Sequence, residues 1–242
     1  RLVSLSGGGK ENAIPKEAKA VVSVRSCDAT TFEQSIKESE AVWMQEISAT
    51  EPYAKIELEK TDIAADKVLD SKSTANVIYA LWLSPDGVYK MSQEIKGMVQ
   101  TSLNLETAYL DADKLVYKYL IRSNTAAGKK LLLERVTTFA KHLSGKVVTM
   151  SDYPAWEYKS DSQLRKICVD SFTNVYGHEP EVTSIHAGLE CGILGSKYPN
   201  WDMISFGPTI SSPHSPDEKV NIESVSKFWE FLKATLAAIP TK

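Results

Sequence analysis

Residues 99–106, Val-Gln-Thr-Ser-Leu-Asn-Leu-Glu, carry the clearest fold signal in this chain. Apolar or β-branched side chains at the odd positions alternate with polar side chains at the even positions, and this period of two predicts a β-strand with one buried face. A turn signal follows at 111–114, and residues 115–122 are predicted to return as a partner strand. The pair predicts an antiparallel sheet with one face covered by helices.

Further elements are predicted on both sides of this hairpin. Phe32, Ile36, Trp43 and Ile47 fall at spacings that place them on one face of a helix. The other elements predicted before residue 146 are strands at 2–5, 20–24 and 52–60 and helices at 77–83 and 132–143.

The pattern changes at about residue 146, where short strands begin to alternate with helices. The strands are predicted at 147–150, 182–186 and 203–206, and the helices at 160–175, with Ser160 and Gln163 as a capping box, and 223–239. Such alternation is typical of α/β organisation. We therefore predict an α/β protein with a domain boundary near residue 150, which separates an antiparallel-sheet domain from an α/β domain.

Composition excludes several classes of function. The 242 residues include 28 basic and 31 acidic side chains, for a net charge of -3, and no run of like charges predicts binding to nucleic acid or an anionic membrane. No apolar stretch reaches the roughly 18 residues that a spanning helix needs. The odd number of cysteines, Cys27, Cys168 and Cys191, favours a reduced cytoplasmic setting over a disulfide framework. Residues 1–5 resemble the middle of a strand and lack the features of a signal peptide.

The richest loop signal lies at 207–218, Gly-Pro-Thr-Ile-Ser-Ser-Pro-His-Ser-Pro-Asp-Glu. It follows a predicted strand and precedes a predicted helix, where functional loops are common. Pro213 and Pro216 stiffen the backbone around His214, which suits an imidazole that must point in a fixed direction. Since a neutral imidazole is the commonest metal ligand, His214 is a candidate zinc ligand; the alternative is an exposed loop histidine.

A second candidate is the segment 186–192, His-Ala-Gly-Leu-Glu-Cys-Gly. Gly188 and Gly192 bracket Glu190 just beyond a predicted strand end, and such a loop lets backbone amides approach a ligand closely. The alternative is a plain strand-to-helix turn in which Glu190 is solvated. His186 is predicted to be a packed strand residue.

Other familiar chemistries lack their motifs. The triple glycine at 7–9 has no phosphate-loop pattern and precedes no helix, and neither a G-x-S-x-G elbow nor an H-E-x-x-H helix occurs. Cys191 has no evident activating base, so a cysteine nucleophile is not predicted. His142 and His178 are predicted to be structural. From the residues alone, the sequence favours an α/β hydrolase-like protein without specifying its reaction.

Four segments resemble the bacterial aminoacyl-histidine dipeptidases, which belong to the larger aminoacylase and carboxypeptidase-like family of co-catalytic zinc peptidases. The most specific stretch runs from residue 202 to 222. The segments are Asn12-Ala-Ile-Pro-Lys-Glu-Ala18, Gly188-Leu-Glu-Cys-Gly192, Asp202-Met-Ile-Ser-Phe-Gly-Pro208 and His214-Ser-Pro-Asp-Glu-Lys-Val-Asn-Ile222.

The resemblance implies a two-domain enzyme in which a lid domain is inserted into a catalytic α/β domain that binds two zinc ions. Residues 1–150 correspond to the lid, and residues 151–242 to the C-terminal portion of the catalytic domain. His214 matches the family's last zinc ligand. These assignments imply a hydrolase whose substrates are aminoacyl-histidine and related dipeptides.

The same resemblance implies four substrate contacts. Asn12 belongs to the lid's Asn-x-Ile-Pro motif, and Arg122 matches a lid-strand arginine that meets the substrate carboxylate. Gly188 and Glu190 line the substrate pocket. A homodimer through the lid domain is left open.

The family's remaining metal ligands, its general base and a lid histidine have no match in this chain. The resemblance therefore implies that no catalytic residue is present, that an N-terminal half of the catalytic domain is missing, and that the chain alone is inactive. An alternative is a stand-alone module for dimerisation or peptide binding derived from such a peptidase. A complete hydrolase that uses no metal is disfavoured because no nucleophile constellation is present.

Overall fold

A computed structural model describes residues 1–9, 13–61, 67–112, 114–184 and 190–240. Within those ranges the chain forms a mixed α/β structure. The strands are β1 (Leu2–Gly8), β2 (Ala18–Val22), β3 (Gly87–Met91), β4 (Val99–Asp111), β5 (Lys114–Ser123), β6 (Ile210–Ser211) and β7 (Lys219–Val220). The helices are α1 (Ala29–Ile47), α2 (Ser71–Leu83), α3 (Ala126–His142), α4 (Gln163–Tyr176), α5 (Glu190–Lys197) and α6 (Ile222–Ala238).

The longest strand, β4, organises an antiparallel sheet. The order is β2-β1-β4-β3, and β5 also pairs with β4. β1 pairs with the C-terminal part of β4, where Gly7 lies opposite Ala108, whereas β3 pairs with its N-terminal part, where Gly87 lies opposite Leu103. The predicted β4–β5 pair and the antiparallel sheet are therefore confirmed.

β4 does not keep one buried face along its whole length. Its buried positions are odd-numbered up to Leu103 and even-numbered from Glu106, which is only 7% exposed although its polarity predicted a solvated face. Between them the backbone N–H of Leu105 donates to the carboxylate of Asp86 at 2.7 Å. The Asp86 side chain thus accepts a backbone hydrogen bond at the point where the buried positions of β4 change from odd to even.

The described chain divides into two compact units. One comprises residues 1–86, 104–120 and 142–144, and the other comprises residues 87–103, 121–141 and 145–242. In the first unit, the backbone of Leu2 bonds to the Thr74 hydroxyl at 3.2 Å and to the N–H of Leu69 at 2.9 Å, which holds β1 beside the start of α2.

The second unit contains α4 and α6, which pack through an aromatic cluster. The rings of Phe172 and Phe231 meet edge to face with centroids 5.4 Å apart, and Phe206 contacts Phe231 at 4.7 Å and Phe228 at 5.7 Å. Edge-to-face and tilted aromatic pairs of this kind stabilise a core beyond their buried area. The cluster also holds Phe206 against α6, through Phe228 and Phe231.

α4 illustrates how local signals fix a helix. Its N-cap is Ser162, whose hydroxyl accepts the N–H of Arg165 at 3.0 Å, and it ends at Gly177, which has a left-handed φ of 77°. The predicted helix and its glycine stop are confirmed, but the cap is Ser162 and not Ser160. The predicted helices at 32–47, 77–83, 132–143 and 223–239 correspond to α1, α2, α3 and α6.

Three predicted strands are wrong: residues 52–60, 147–150 and 203–206 form no strand. A strand is defined by backbone hydrogen bonds to a neighbour, and none of these segments pairs in a ladder within the described part of the chain. Of the predicted strand at 182–186, residues 182–184 also form none, and the rest, including His186, lies outside the described residues. The sequence did not predict β3, α5, β6 or β7.

Candidate functional site

His214 lies at the tip of a small hairpin formed by β6 and β7. Ile210 lies opposite Val220, and Ser211 lies opposite Lys219. The His214 residue is exposed, so its imidazole is not buried in the described structure. The hairpin therefore presents a ring that is accessible to a ligand.

The base of the hairpin is fastened to the first turn of α6. Asn221 donates its N–H to the carbonyl of Thr209 at 2.9 Å, and Thr209 donates its N–H to the Ser224 hydroxyl at 2.9 Å. Asn221 is also the N-cap of α6, since its side chain accepts the N–H of Ser224 at 3.0 Å. The helix start thus fixes the position from which the His214 loop projects.

Bonds within the loop fix its shape. The Ser215 hydroxyl donates to the carbonyl of Ser212 at 2.8 Å and accepts the N–H of Asp217 at 3.2 Å. The Glu218 carboxylate accepts the backbone N–H of His214 at 2.7 Å. Of these three bonds only the last involves His214, through its backbone N–H, and none involves its imidazole.

The other predicted site residues have different outcomes. Arg122 is half-buried near the end of β5, and Glu190 is the exposed first residue of α5, so it lies in a helix and not in a loop. Asn12 and Gly188 lie outside the described residues. Arg122, Glu190 and His214 belong to the same compact unit.

Gly192 allows a close approach between α5 and the preceding segment. A Cβ at this position would overlap the carbonyl oxygen of Pro154. Residue 192 is buried and therefore must be small for α5 to pack here. The helix that begins at Glu190 is thus seated by a glycine from the motif that the sequence singled out.

Asp202 has a structural role that the sequence did not predict. Its carboxylate accepts the N–H of Leu164 at 2.9 Å, in the first turn of α4. Desolvation, the largest influence, raises its pKa, but hydrogen bonds from Leu164 and Ser162 and the positive charge of Lys159 outweigh it, so the pKa lies below its usual value. Asp202 begins the most specific matching segment, and this bond fixes that segment to α4.

A second group of missed residues fastens the start of α3. The Lys129 ammonium donates to the Asp152 carboxylate and to the carbonyl of Tyr153, both at 2.6 Å. Glu157 accepts the first free N–H of the helix, that of Ala126, at 2.9 Å. These bonds join residues on both sides of position 150 within one compact unit.

The thiols show no sign of activation as nucleophiles. Burial raises the pKa of Cys168 and of Cys191, and the negative charge of Glu190 raises that of Cys191 further. A thiol with a raised pKa carries little of the reactive thiolate at neutral pH. Cys168 and Cys191 therefore fit a structural role, and Cys27 lies exposed as a free thiol.

The described residues do not by themselves form a metal centre. Within them, no group of three or more His, Cys, Asp and Glu side chains is arranged to hold a metal ion. A catalytic zinc ion takes about three protein ligands and a water molecule. Among the described residues, His214 therefore belongs to no such group.

Comparison with known proteins gives consistent matches along the whole chain. The sequence pattern of peptidase family M20/M25/M40 matches residues 10–238. The cytosol non-specific dipeptidase of Escherichia coli (strain K12) is 33% identical over 243 aligned residues that cover 100% of this chain. The crystal structure of aminoacylhistidine dipeptidase from Vibrio alginolyticus superposes on 100% of this chain with a TM-score of 0.91 and 36% identity.

The matches cover all of this chain but only about half of each relative. The chain covers 50% of the E. coli protein and 49% of the Vibrio chain, and so spans about half the length of these relatives.

Among the described residues, no helix is both long and apolar enough to cross a membrane.

Proposed function

Since this chain belongs to peptidase family M20/M25/M40, we propose that it forms part of a dipeptidase that hydrolyses aminoacyl-histidine and related dipeptides. The observation that carries the proposal is the match of the entire chain to two dipeptidases at 33% and 36% identity. The name of the E. coli relative supports a cytoplasmic setting.

The proposal assigns a separate role to each of the two predicted domains. Residues 1–150 form an inserted lid domain, and residues 151–242 form the C-terminal portion of the catalytic domain. The lid closes over a bound dipeptide, holds its termini and excludes water from the site. A homodimer through the lid belongs to the same proposal.

His214 supplies one zinc ligand to a site that binds two zinc ions in the complete protein. When bound, the ions supply Lewis-acid activation of water and of the peptide carbonyl. The contribution of this chain is to present the imidazole on a hairpin fixed at the start of α6. A neutral imidazole on a hydrogen-bonded loop is the type of donor that zinc prefers.

Polypeptide outside this chain supplies the remaining metal ligands and the general base. Exposed apolar side chains support the proposal that further polypeptide packs on this chain. Val148 is 78% exposed, Met150 76% and Trp201 51%. Large exposed apolar surfaces are typical of interaction sites. In this proposal, added strands pair with segments 147–150 and 203–206, which form no ladder within the described part of the chain.

Arg122, Asn12, Gly188 and Glu190 contact the substrate in this proposal. The guanidinium of Arg122 suits a carboxylate, because its planar donors form two parallel hydrogen bonds with the two oxygens. It would therefore bind the C-terminal carboxylate of the dipeptide. Such a clamp explains a preference for dipeptides over longer peptides, since it requires a free carboxylate one residue beyond the scissile bond.

The decisive experiment compares this chain with a form extended to the full length of its relatives. We expect the extended form to bind zinc and to hydrolyse an aminoacyl-histidine dipeptide, and the short chain to do neither at a comparable level. In the extended form, His214→Ala should lose bound zinc and activity, whereas His142→Ala, an exposed histidine at the end of α3, should lose neither. Equal hydrolysis by the short chain would refute the assignment of missing ligands.

A further inference from the structure

The backbone of His214 adopts a conformation that is unfavourable for a residue with a side chain. Its φ is +62°, in the left-handed region, and that of Ser212 in the same loop is +53°. Residues other than glycine occupy this region rarely, because Cβ lies close to the carbonyl oxygen. Such a conformation persists only where surrounding contacts hold it.

The contact that holds it comes from Glu218. One carboxylate oxygen, Oε2, accepts the His214 N–H at 2.7 Å, while the N–H of Glu218 donates to the carbonyl of Ser215 at 3.1 Å. Two hydrogen bonds therefore close the tip of the hairpin between residues 214 and 218. A charged acceptor makes the first bond stronger than an ordinary amide bond.

The direction of the imidazole depends on this closure. A side chain projects along the Cα–Cβ bond, so a change of φ at His214 from the left-handed region to an ordinary value would point the ring elsewhere. Pro213 and Pro216 restrict the flanking backbone but make no hydrogen bond through nitrogen. The Glu218 bond is the interaction that acts directly on the His214 N–H.

We propose that Glu218 is a positioning residue that fixes the His214 backbone, and thereby its imidazole, for zinc binding. This inference rests on the proposed function, since it assigns Glu218 a role through His214. Glu218 acts on the main chain, in contrast to the usual outer-shell carboxylate that accepts a proton from the ligand imidazole itself.

The test uses full-length protein and measures the zinc dissociation constant by chelator competition. Glu218→Ala should weaken zinc binding about tenfold, within the range usual for loss of a residue that orients a ligand. Glu218→Gln should stay within about threefold of the wild type, because its amide oxygen is still an acceptor at the same reach. Glu218→Asp should lose as much as Glu218→Ala, because the shorter side chain keeps its charge but withdraws the acceptor.

Asp217→Ala is the matched control. It removes the neighbouring negative charge, but among the described residues the Asp217 side chain makes no hydrogen bond, and only its backbone N–H bonds to Ser215. Zinc affinity should therefore be unchanged. The absorption spectrum of the cobalt-substituted protein provides a second readout: Glu218→Ala and Glu218→Asp should alter its ligand-field bands, and Asp217→Ala should not.

The outcomes separate this inference from the function on which it rests. If His214→Ala loses zinc but Glu218→Ala and Glu218→Asp retain wild-type affinity, the positioning role is overturned and the zinc ligand stands. If His214→Ala itself retains zinc, the proposed ligand is wrong and Glu218 has nothing to position. Should Glu218→Ala fail to fold, the contrast between Glu218→Gln and Glu218→Asp decides the same question.

Discussion

The Asp202 carboxylate accepts the backbone N–H of Leu164 at 2.9 Å and thereby joins the most specific motif of the chain to the first turn of α4. Ser162, the N-cap of the same helix, hydrogen-bonds to the Asp202 carboxylate and accepts the N–H of Arg165. Two of the unpaired donors at the helix start are thus satisfied by side chains. The segment that leads to the His214 hairpin takes its position from this junction.

Asp202→Ala should lower the free energy of unfolding by about 1 kcal/mol at neutral pH, as expected for loss of a helix-capping acceptor. The folded-state pKa of Asp202 is lowered, so its stabilisation is present above the unfolded pKa of about 4 and is lost as the pH falls through the folded value. Thermal unfolding of metal-free protein at pH 7 and near pH 3 measures this effect. The gap between wild type and variant should narrow in acid.

Asp161→Ala is the control for the Asp202 experiment. Asp161 is exposed and lies next to the same helix start. Its removal should change stability by no more than a few tenths of a kcal/mol, as is usual for surface positions. Equal losses for both variants would show that nearby negative charge matters and the Leu164 bond does not.

Gly8→Ala should destabilise the protein strongly, whereas Gly9→Ala should be nearly neutral. Gly8 has a φ of +73°, and a Cβ there would overlap the carbonyl oxygen of Glu106, so an alanine would be strained and would push β1 away from β4. Gly9 has no atom within 4 Å of such a Cβ. We expect a loss of about 2–4 kcal/mol for Gly8→Ala, measured by denaturant unfolding.

The outcome for Gly8 bears on the sequence interpretation of the triple glycine. The sequence argues against phosphate binding at residues 7–9 but does not predict that position 8 must lack a side chain. A neutral Gly8→Ala variant would mean that β1 can shift against Glu106 at little cost.

Two glycines of α5 provide a second matched pair. Gly192→Ala should destabilise the protein by about 1–3 kcal/mol, because the added methyl group overlaps the backbone oxygen of Pro154 and α5 must move. At Gly195 the nearest atom is the flexible Met203 methyl group at 3.1 Å. Gly195→Ala should be neutral or stabilising, since alanine favours a helix by up to about 1 kcal/mol over glycine. Calorimetric melting temperatures of both variants check the contrast.

Arg122→Ala in the full-length protein should raise KM and lower kcat/KM for dipeptides by about 10²-fold, because a charge-assisted clamp on the substrate carboxylate is lost. Lys118→Ala removes another basic residue of β5 and should leave the kinetics unchanged. For a dipeptide amide, which lacks the carboxylate, the kcat/KM values of the wild type and of Arg122→Ala should differ far less. If the Arg122→Ala variant has the kinetics of the wild type, Arg122 does not bind the substrate.

The sequence predicted those helices and strands whose patterns involve residues only a few positions apart. α1, α4 and α6 follow from apolar residues at helical spacing, and Gly177 ends α4 because only a residue without Cβ adopts a left-handed φ at little cost. The β4–β5 pair follows from the alternation that starts at Val99. The motif around His214 marked the candidate site, and the exposed side chain leaves its imidazole accessible.

Tertiary structure alone decided the features that join distant parts of the chain. The change of buried face in β4 coincides with the bond from Leu105 to Asp86, and the fixing of α4 depends on Asp202, 38 positions from its partner. The segments 147–150 and 203–206 have the composition of strands but pair with nothing in the described chain. The preference of a segment for helix or strand depends on residues close to one another in sequence, so the sequence predicts it. A hydrogen bond between remote residues exists only once folding has brought donor and acceptor together.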